Sequence, residues 1–407
     1  MRDTGPKRPF YRSTSAQTLI ALSFNTLSIL AGGLISILTP QFTSSPWILA
    51  LFPPILTIRG GIGGIFAGNL TTMLHLGLIR PQIRGNTPVF RQLVESVFVI
   101  SLIDTLMMGA FSFILNLMTG GVTLNHLWIF VVVPPIACVL ALTISIPITI
   151  LIAIATFRKG LDPDILVYPI LASINDIIVT TTLVGVVVLV LHGGAAHLLL
   201  GLLFAVIIGA TTLITWKNRD VGFFFQTILE GSTIVIMSSL FGSFNGVFLS
   251  GMSGNLSQNP GVLAIYPALT NALGNIGSII GSTKTTSLAL GFVKDFADEM
   301  KESVSLILKV ESVALLIHVV FGFVAYLIVR PGAPGASLGT LMEMALLSNL
   351  LSFLPIALFA LVVAHQAFKR GLNPDNVTIP VITSLSDTVS TVAFFLAISI
   401  LWFLGLL

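Results

Sequence analysis

Two aspartates, Asp176 and Asp387, stand inside apolar segments where a charge is costly. Each lies 12 residues beyond the acid of an Asp/Asn-Pro-Asp turn, Asp164 and Asp375. At 1.5 Å per helical residue that is about 18 Å, near the middle of a bilayer. A carboxylate at that depth costs at least ~2.5–3.5 kcal/mol, so it needs a water-filled lumen, a cation or a proton. One such acid alone is equally well explained as a protonated partner in a helix–helix hydrogen bond. These two, however, are copies of one another. Phe157 to Asp176 lies over Phe368 to Asp387 at an offset of 211, with eight of 20 positions identical. Two like charges brought together share a proton or hold a cation between them, and the duplication favours an ion site.

A second block repeats as well. Leu49 to Leu78 lies over Leu263 to Phe292 at a constant offset of 214, with twelve of 30 positions identical. The identities include Pro53/Pro267, Gly60/Gly274, Gly63/Gly277, Thr71-Thr72/Thr285-Thr286 and Gly77/Gly291. Glycines at 60, 61, 63, 64 and 68, matched by those at 274, 277 and 281, permit close backbone approach or exposed carbonyls. Small residues at helix contacts are common in any membrane bundle, so this signal is weak alone. Asn275 and the paired threonines add oxygens. The prolines and glycines are expected to unwind this span partway.

Other embedded charges carry less. Arg59 and Lys284 each occur in one copy only, opposite Leu273 and Leu70, and so break a two-fold lining. Asp104 and Glu311 form a third matched pair at offset 207, better suited to helix pairing or a peripheral coupling site. Glu230 and Glu343 are near-singletons. No two histidines, nor a histidine and an acid, share a helix face at ligand spacing. No nucleotide loop, Ser-His-Asp order or HExxH motif appears, which argues against an enzyme.

Composition dictates what must position these groups. Hydrophobic residues make up 55% and charged residues 9%, and the mean hydropathy is +1.02, far from a soluble domain. The alternating ~10-residue segments of a β-barrel are absent. The net charge of +3 does not indicate nucleic acid, because the basic residues sit in short loops. The single cysteine, Cys138, allows no internal disulfide. No cleavable leader is evident: basic residues at 2, 7, 8 and 12 run directly into a span.

The apolar runs predict eleven helical spans, roughly 17–39, 47–79, 93–117, 127–156, 165–191, 197–216, 221–250, 261–292, 303–329, 339–367 and 377–404. With the N-terminus inside, 15 of the 19 Lys and Arg fall on inside segments and only Arg330 outside. The C-terminus then lies outside. The segment His197 to Trp216 has no counterpart in the second half. It returns the chain so that both five-helix units start with the same orientation. The expected fold is therefore an all-α polytopic membrane protein. Two parallel repeats, 17–192 and 221–407, follow a basic N-terminus at 1–16, are joined by a connecting helix at 193–220, and share a pseudo-two-fold axis along the membrane normal.

The motifs P-x6-G-x-I-G ending in T-T-x-L-x-L-G, and D/N-P-D…P…S-x-x-D, resemble the magnesium-transporting domain of the MgtE proteins. They are closer still to its tandem form in solute carrier family 41, over nearly the whole chain except the N-terminus and connecting helix. The resemblance implies that Asp176 and Asp387 hold a hydrated Mg²⁺ in a pore lined by the second and fifth spans of each half. The carbonyls of Ala172 and Thr383 would meet its water shell, with Asn175 and Asn275 completing the candidate metal set. Mg²⁺ dehydrates reluctantly and is typically held through waters by one or two carboxylates, which suits such a pair. Two departures stand out: Gly61 replaces the asparagine seen at Asn275, and Arg59 sits at the mouth of the block. Regulation by the inside modules typical of bacterial MgtE is not expected, since no loop exceeds about a dozen residues. The expected protein resides in the cell membrane and works as a monomer, with Na⁺ or H⁺ as a candidate coupling ion. The alternative is a proton-coupled carrier of a small organic solute, marked by pore-lining aromatics or arginines matched between halves, and none is apparent.

Overall fold

The computed structural model describes residues 14–82, 85–158, 163–259, 261–289, 296–332, 337–370 and 374–406. Most of the basic N-terminus, Lys159, Gly291, Lys294 and Leu407 lie outside the described residues. So do the side chains of Asp164, Asp375, Thr71, Thr285 and Thr286. Eleven helical segments among the described residues are long and apolar enough to cross a membrane. The first span is α1 (Thr14–Asn25) with α2 (Ser28–Ser36), followed by α3 (Trp47–His75), α4 (Pro88–Met118), α5 (Leu127–Arg158), α6 (Pro163–His192) and α7 (Ala195–Lys217). After α8 (Gly222–Gly251) and the short α9 (Ser253–Gln258) come α10 (Tyr266–Ala289), α11 (Phe296–Val329), α12 (Leu338–Lys369) and α13 (Pro374–Phe403). Every predicted span coincides with one of these, within a few residues at most ends. Helices of 30 or more residues, such as α5 and α12 with 32 each, exceed a ~30 Å core and must tilt.

The expected unwinding of the second spans does not occur. Pro53 and Pro54 lie inside a continuous α3, and α10 runs unbroken past Gly274. Pro54 has no N–H to offer the Ala50 carbonyl four residues back. That carbonyl is covered by α8, whose Gly246 approaches so closely that a Cβ there would collide with the Ala50 oxygen. A backbone carbonyl freed in hydrocarbon needs such cover, and glycine allows the neighbouring helix to come close enough to give it. The same arrangement recurs at the matched positions, where Gly32 of α2 leaves no room for a Cβ against the Ala264 carbonyl. The first span of each half thus packs on the second span of the other.

The chain breaks elsewhere instead. Between α1 and α2, Thr26 and Leu27 form a tight turn with i→i−3 bonds to Ser23 and Phe24. This interruption sets Asn25 and Ser28 toward α10 and α6, where both bond.

Within each half the first span also lies against the last, α2 on α6 and α8 on α13, the latter pair tied by Ser238 and Ser384 at 2.7 Å. The two halves differ in how tightly their second and last spans meet. A Cβ at Gly277 would come within 2.6 Å of Ile382 and 2.9 Å of Ser386. At the matched Gly63 it would come no nearer than 3.6 Å, to Asn175. The α3–α6 seam is therefore the looser one.

Helix α7 packs against α4, α5 and α6 and leaves most of its residues exposed, so it lies at the periphery. Its end is clamped to α4: Asn218 Nδ2 donates to Glu95 Oε2 at 2.7 Å and Lys217 Nζ to Glu95 Oε1 at 3.2 Å.

Candidate ion site

Asp176 lies 13 residues beyond the start of α6 at Pro163, and Asp387 lies 13 beyond the start of α13 at Pro374. Both helices are 30 residues long, so the two acids sit just short of mid-helix. They line one small cavity, together with Pro53, Thr57, Arg59, Tyr266 and Asn271. The second spans supply the groups that hold them. Thr57 Oγ1 of α3 donates to Asp387 Oδ2 at 3.2 Å. Asn271 Nδ2 of α10, the residue matched to Thr57, donates to Asp176 Oδ2. Each aspartate is therefore held by the opposite half. Ser28 Oγ adds a second donor to Asp176 Oδ2 at 2.9 Å.

Arg59, set aside on sequence grounds because its counterpart is Leu273, reaches the centre of this site. Its Nη2 pairs with Asp176 Oδ1, and its Nη1 donates to the Ala172 carbonyl at 3.2 Å. The pair is deeply enclosed, with side chains 10% and 1% exposed. Among the described residues Asp387 has no such ion pair, and the residue matching Arg59, Leu273, is apolar and fully buried.

The other candidates divide. The Ala172 carbonyl faces the site but already accepts from Arg59. Asn175, buried in the α3–α6 seam, is not among the cavity-lining residues. Asn275 turns away to Asn25, donating to its Oδ1 at 3.2 Å. Thr383 lies near Gly274, also off the cavity lining. Asp104 is buried beside Ser232 in the α4–α8 contact, and Glu311 accepts from Asn349 at 3.0 Å; both are outside the cavity.

Residues that sequence reasoning missed are Thr57, Asn271, Ser28, Thr270 and Tyr266. A usable signal existed for the first two: they are polar in both copies at the same register of the repeated block. Phe52 and Tyr266 are a matched aromatic pair, with ring centroids 6.1 Å apart. Only Tyr266 lines the cavity, its hydroxyl 2.8 Å from Thr391 Oγ1, while Phe52 is buried behind it.

Comparison with known proteins finds one family, matched over two regions of the chain. The sequence profile described as MgtE, divalent cation transporter, matches twice, over residues 52–186 and 266–397. The chain belongs to the MgtE family. It is similar to solute carrier family 41 member 3 of Rattus norvegicus, at 22% identity over 96% of this chain and 88% of that protein. No solved structure matches it significantly. As an MgtE protein the chain is a transporter of divalent cations rather than an enzyme, and each matched region ends beyond one of the two aspartates.

Proposed function

We propose that this MgtE protein carries Mg²⁺ across the cell membrane along a path between α3, α6, α10 and α13, with Asp176 and Asp387 as the ion site. The observation that carries this reading is the convergence of two repeat-matched aspartates on one cavity, each bonded from the opposite half. Mg²⁺ keeps most of its waters in protein sites, and two carboxylates with neutral oxygens nearby suit a hydrated ion better than a bare one. Thr57, Asn271 and Thr270 supply those neutral groups.

In this reading the halves are parallel repeats about an axis along the membrane normal, matched by the paired glycine contacts at Gly32 and Gly246. The N-terminus is inside and the C-terminus outside, following the basic loops. Both halves of the path lie in one chain, so the monomer transports. Na⁺ or H⁺ is the candidate coupling ion.

The test is ion flux in proteoliposomes across a series of divalent cations, with and without a Na⁺ gradient. Mg²⁺ flux that is lost in the Asp176→Asn/Asp387→Asn double variant supports the site. Near-normal flux in that variant, correctly inserted, overturns it. Flux of a proton-linked organic solute with Mg²⁺ excluded would establish the alternative carrier.

A further inference from the structure

Arg59 breaks the two-fold pattern at the place where an ion would sit. Its guanidinium takes a carboxylate oxygen of Asp176 and the carbonyl of Ala172, the two oxygens that half one offers an ion. Among the described residues its buried Nε has no hydrogen-bond partner, and the fork of its terminal nitrogens holds these two oxygens. Half two places Leu273 at the equivalent position, and there, among the described residues, the carboxylate of Asp387 accepts from the Thr57 hydroxyl and forms no ion pair. The seam beside Arg59 is also the looser of the two, with Gly63 standing off Asn175 while Gly277 is pressed on Ile382 and Ser386. Gly60, the next residue, has open space beside it.

We propose that Arg59 is a tethered counter-cation: it fills the Asp176 side of the site when no ion is bound, and a divalent ion must displace it. This rests on the reading of Asp176 and Asp387 as the ion site. Two carboxylates with one guanidinium leave a single negative charge, less costly to enclose than two. A free monovalent cation offers Asp176 no more charge than Arg59 does and competes against a group held in place at high effective concentration. A divalent ion offers twice the charge and reaches both carboxylates at once. Arg59 thus sets the threshold of valence for occupation. It weakens divalent binding and excludes monovalent ions more strongly still.

The experiment compares the full-length wild type with Arg59→Leu, which installs the residue of the second half, and with Arg59→Gln and Arg59→Lys. Protection against thermal unfolding is titrated with MgCl₂, and separately with NaCl and KCl at constant ionic strength. In Arg59→Leu the Mg²⁺ midpoint should fall about tenfold or more, because a close opposite charge has been removed from the buried carboxylate. Protection by Na⁺ or K⁺ should be stronger than in the wild type. Arg59→Gln should behave the same way, and it keeps a polar group of similar length if Arg59→Leu does not fold. Arg59→Lys should restore the wild-type midpoint to within a few-fold. A Mg²⁺ midpoint unchanged within twofold in the neutral variants, or one that rises, overturns the proposal. Asp387→Asn separates the two readings, since it leaves the Arg59 pair intact. If that variant loses Mg²⁺ protection while the Arg59 variants keep the wild-type midpoint, the ion site stands and only the counter-cation falls. If Asp387→Asn keeps full protection, the ion site itself is wrong.

Discussion

The Thr57 hydroxyl donates to the Asp387 carboxylate at 3.2 Å, joining the second span of one half to the last span of the other. Asn271 does the same for Asp176 in the opposite direction. Hydrogen bonds to charged groups contribute about 1.5–3 kcal/mol when made and leave a costly orphan when lost. If these donors orient the carboxylates for an ion, Thr57→Val and Asn271→Leu should raise the Mg²⁺ concentration for half-maximal flux by about tenfold each. Maximal flux should change little. Flux measured against external Mg²⁺ checks this, and an unchanged half-maximal concentration in both variants would remove the donors from the site.

Asp176→Asn and Asp387→Asn should each abolish most Mg²⁺ flux, and the double variant should be little worse, because groups acting as a unit are not additive. Their stabilities should differ. Asp176→Asn strands the buried Arg59 charge, and breaking a buried pair from one side costs about 3–5 kcal/mol. Asp387→Asn removes a carboxylate without stranding a cation, and its unfolding temperature should hold or rise. Thermal unfolding of the two purified variants distinguishes them. Equal losses of stability would mean that Arg59 is not the partner of Asp176 alone.

Gly246→Ala tests the contact between halves. In an ordinary helix interior, glycine to alanine gains roughly 0.5–1 kcal/mol. Here the added methyl meets the Ala50 carbonyl and Pro54, so overpacking of about 1–3 kcal/mol or more should win. Gly209, on the outward-facing α7 with open space around it, is the control and should gain or stay level on the same change. A Gly246→Ala protein as stable as wild type would contradict the close approach.

Cysteines introduced singly at Ser44, Thr119 and Ser257, with Cys138 replaced, should be labelled by an impermeant thiol reagent from outside. Positions near Lys217 and Arg370 should be labelled only from inside. Reversal of either set would overturn the orientation drawn from the basic loops.

Transport per protein should stay constant as the protein-to-lipid ratio is lowered to one chain per vesicle. A steep fall with dilution would place the path between chains rather than within one.

Much of this was legible in sequence because hydrocarbon allows few solutions. Eleven apolar runs could only become helices, and their ends followed the turn residues and charges. The duplicated acids were legible for the same reason: a charge at that depth needs a partner. What escaped notice depended on contacts between halves. Arg59 looked like an exception because a one-dimensional alignment pairs it with Leu273, whereas in space its partners are on α6. Asn275 looked like a pore residue by register, yet the turn at Thr26 and Leu27, which no pattern signalled, draws it to Asn25. The unwinding anticipated at Pro53 and Pro54 failed because tertiary packing by Gly246, about 190 residues away, covers the freed carbonyl.

The exchange of first spans between halves also bears on how the chain is made. The Ala50 carbonyl, with no N–H from Pro54, has its cover on α8, some 190 residues later. The ribosome adds roughly 5–20 residues per second, so α3 waits on the order of ten seconds or more in the bilayer with that face open. The first half cannot reach its final packing alone. Completion comes only when the second half has entered the membrane and clasped it, which ties the maturation of either half to the synthesis of the whole.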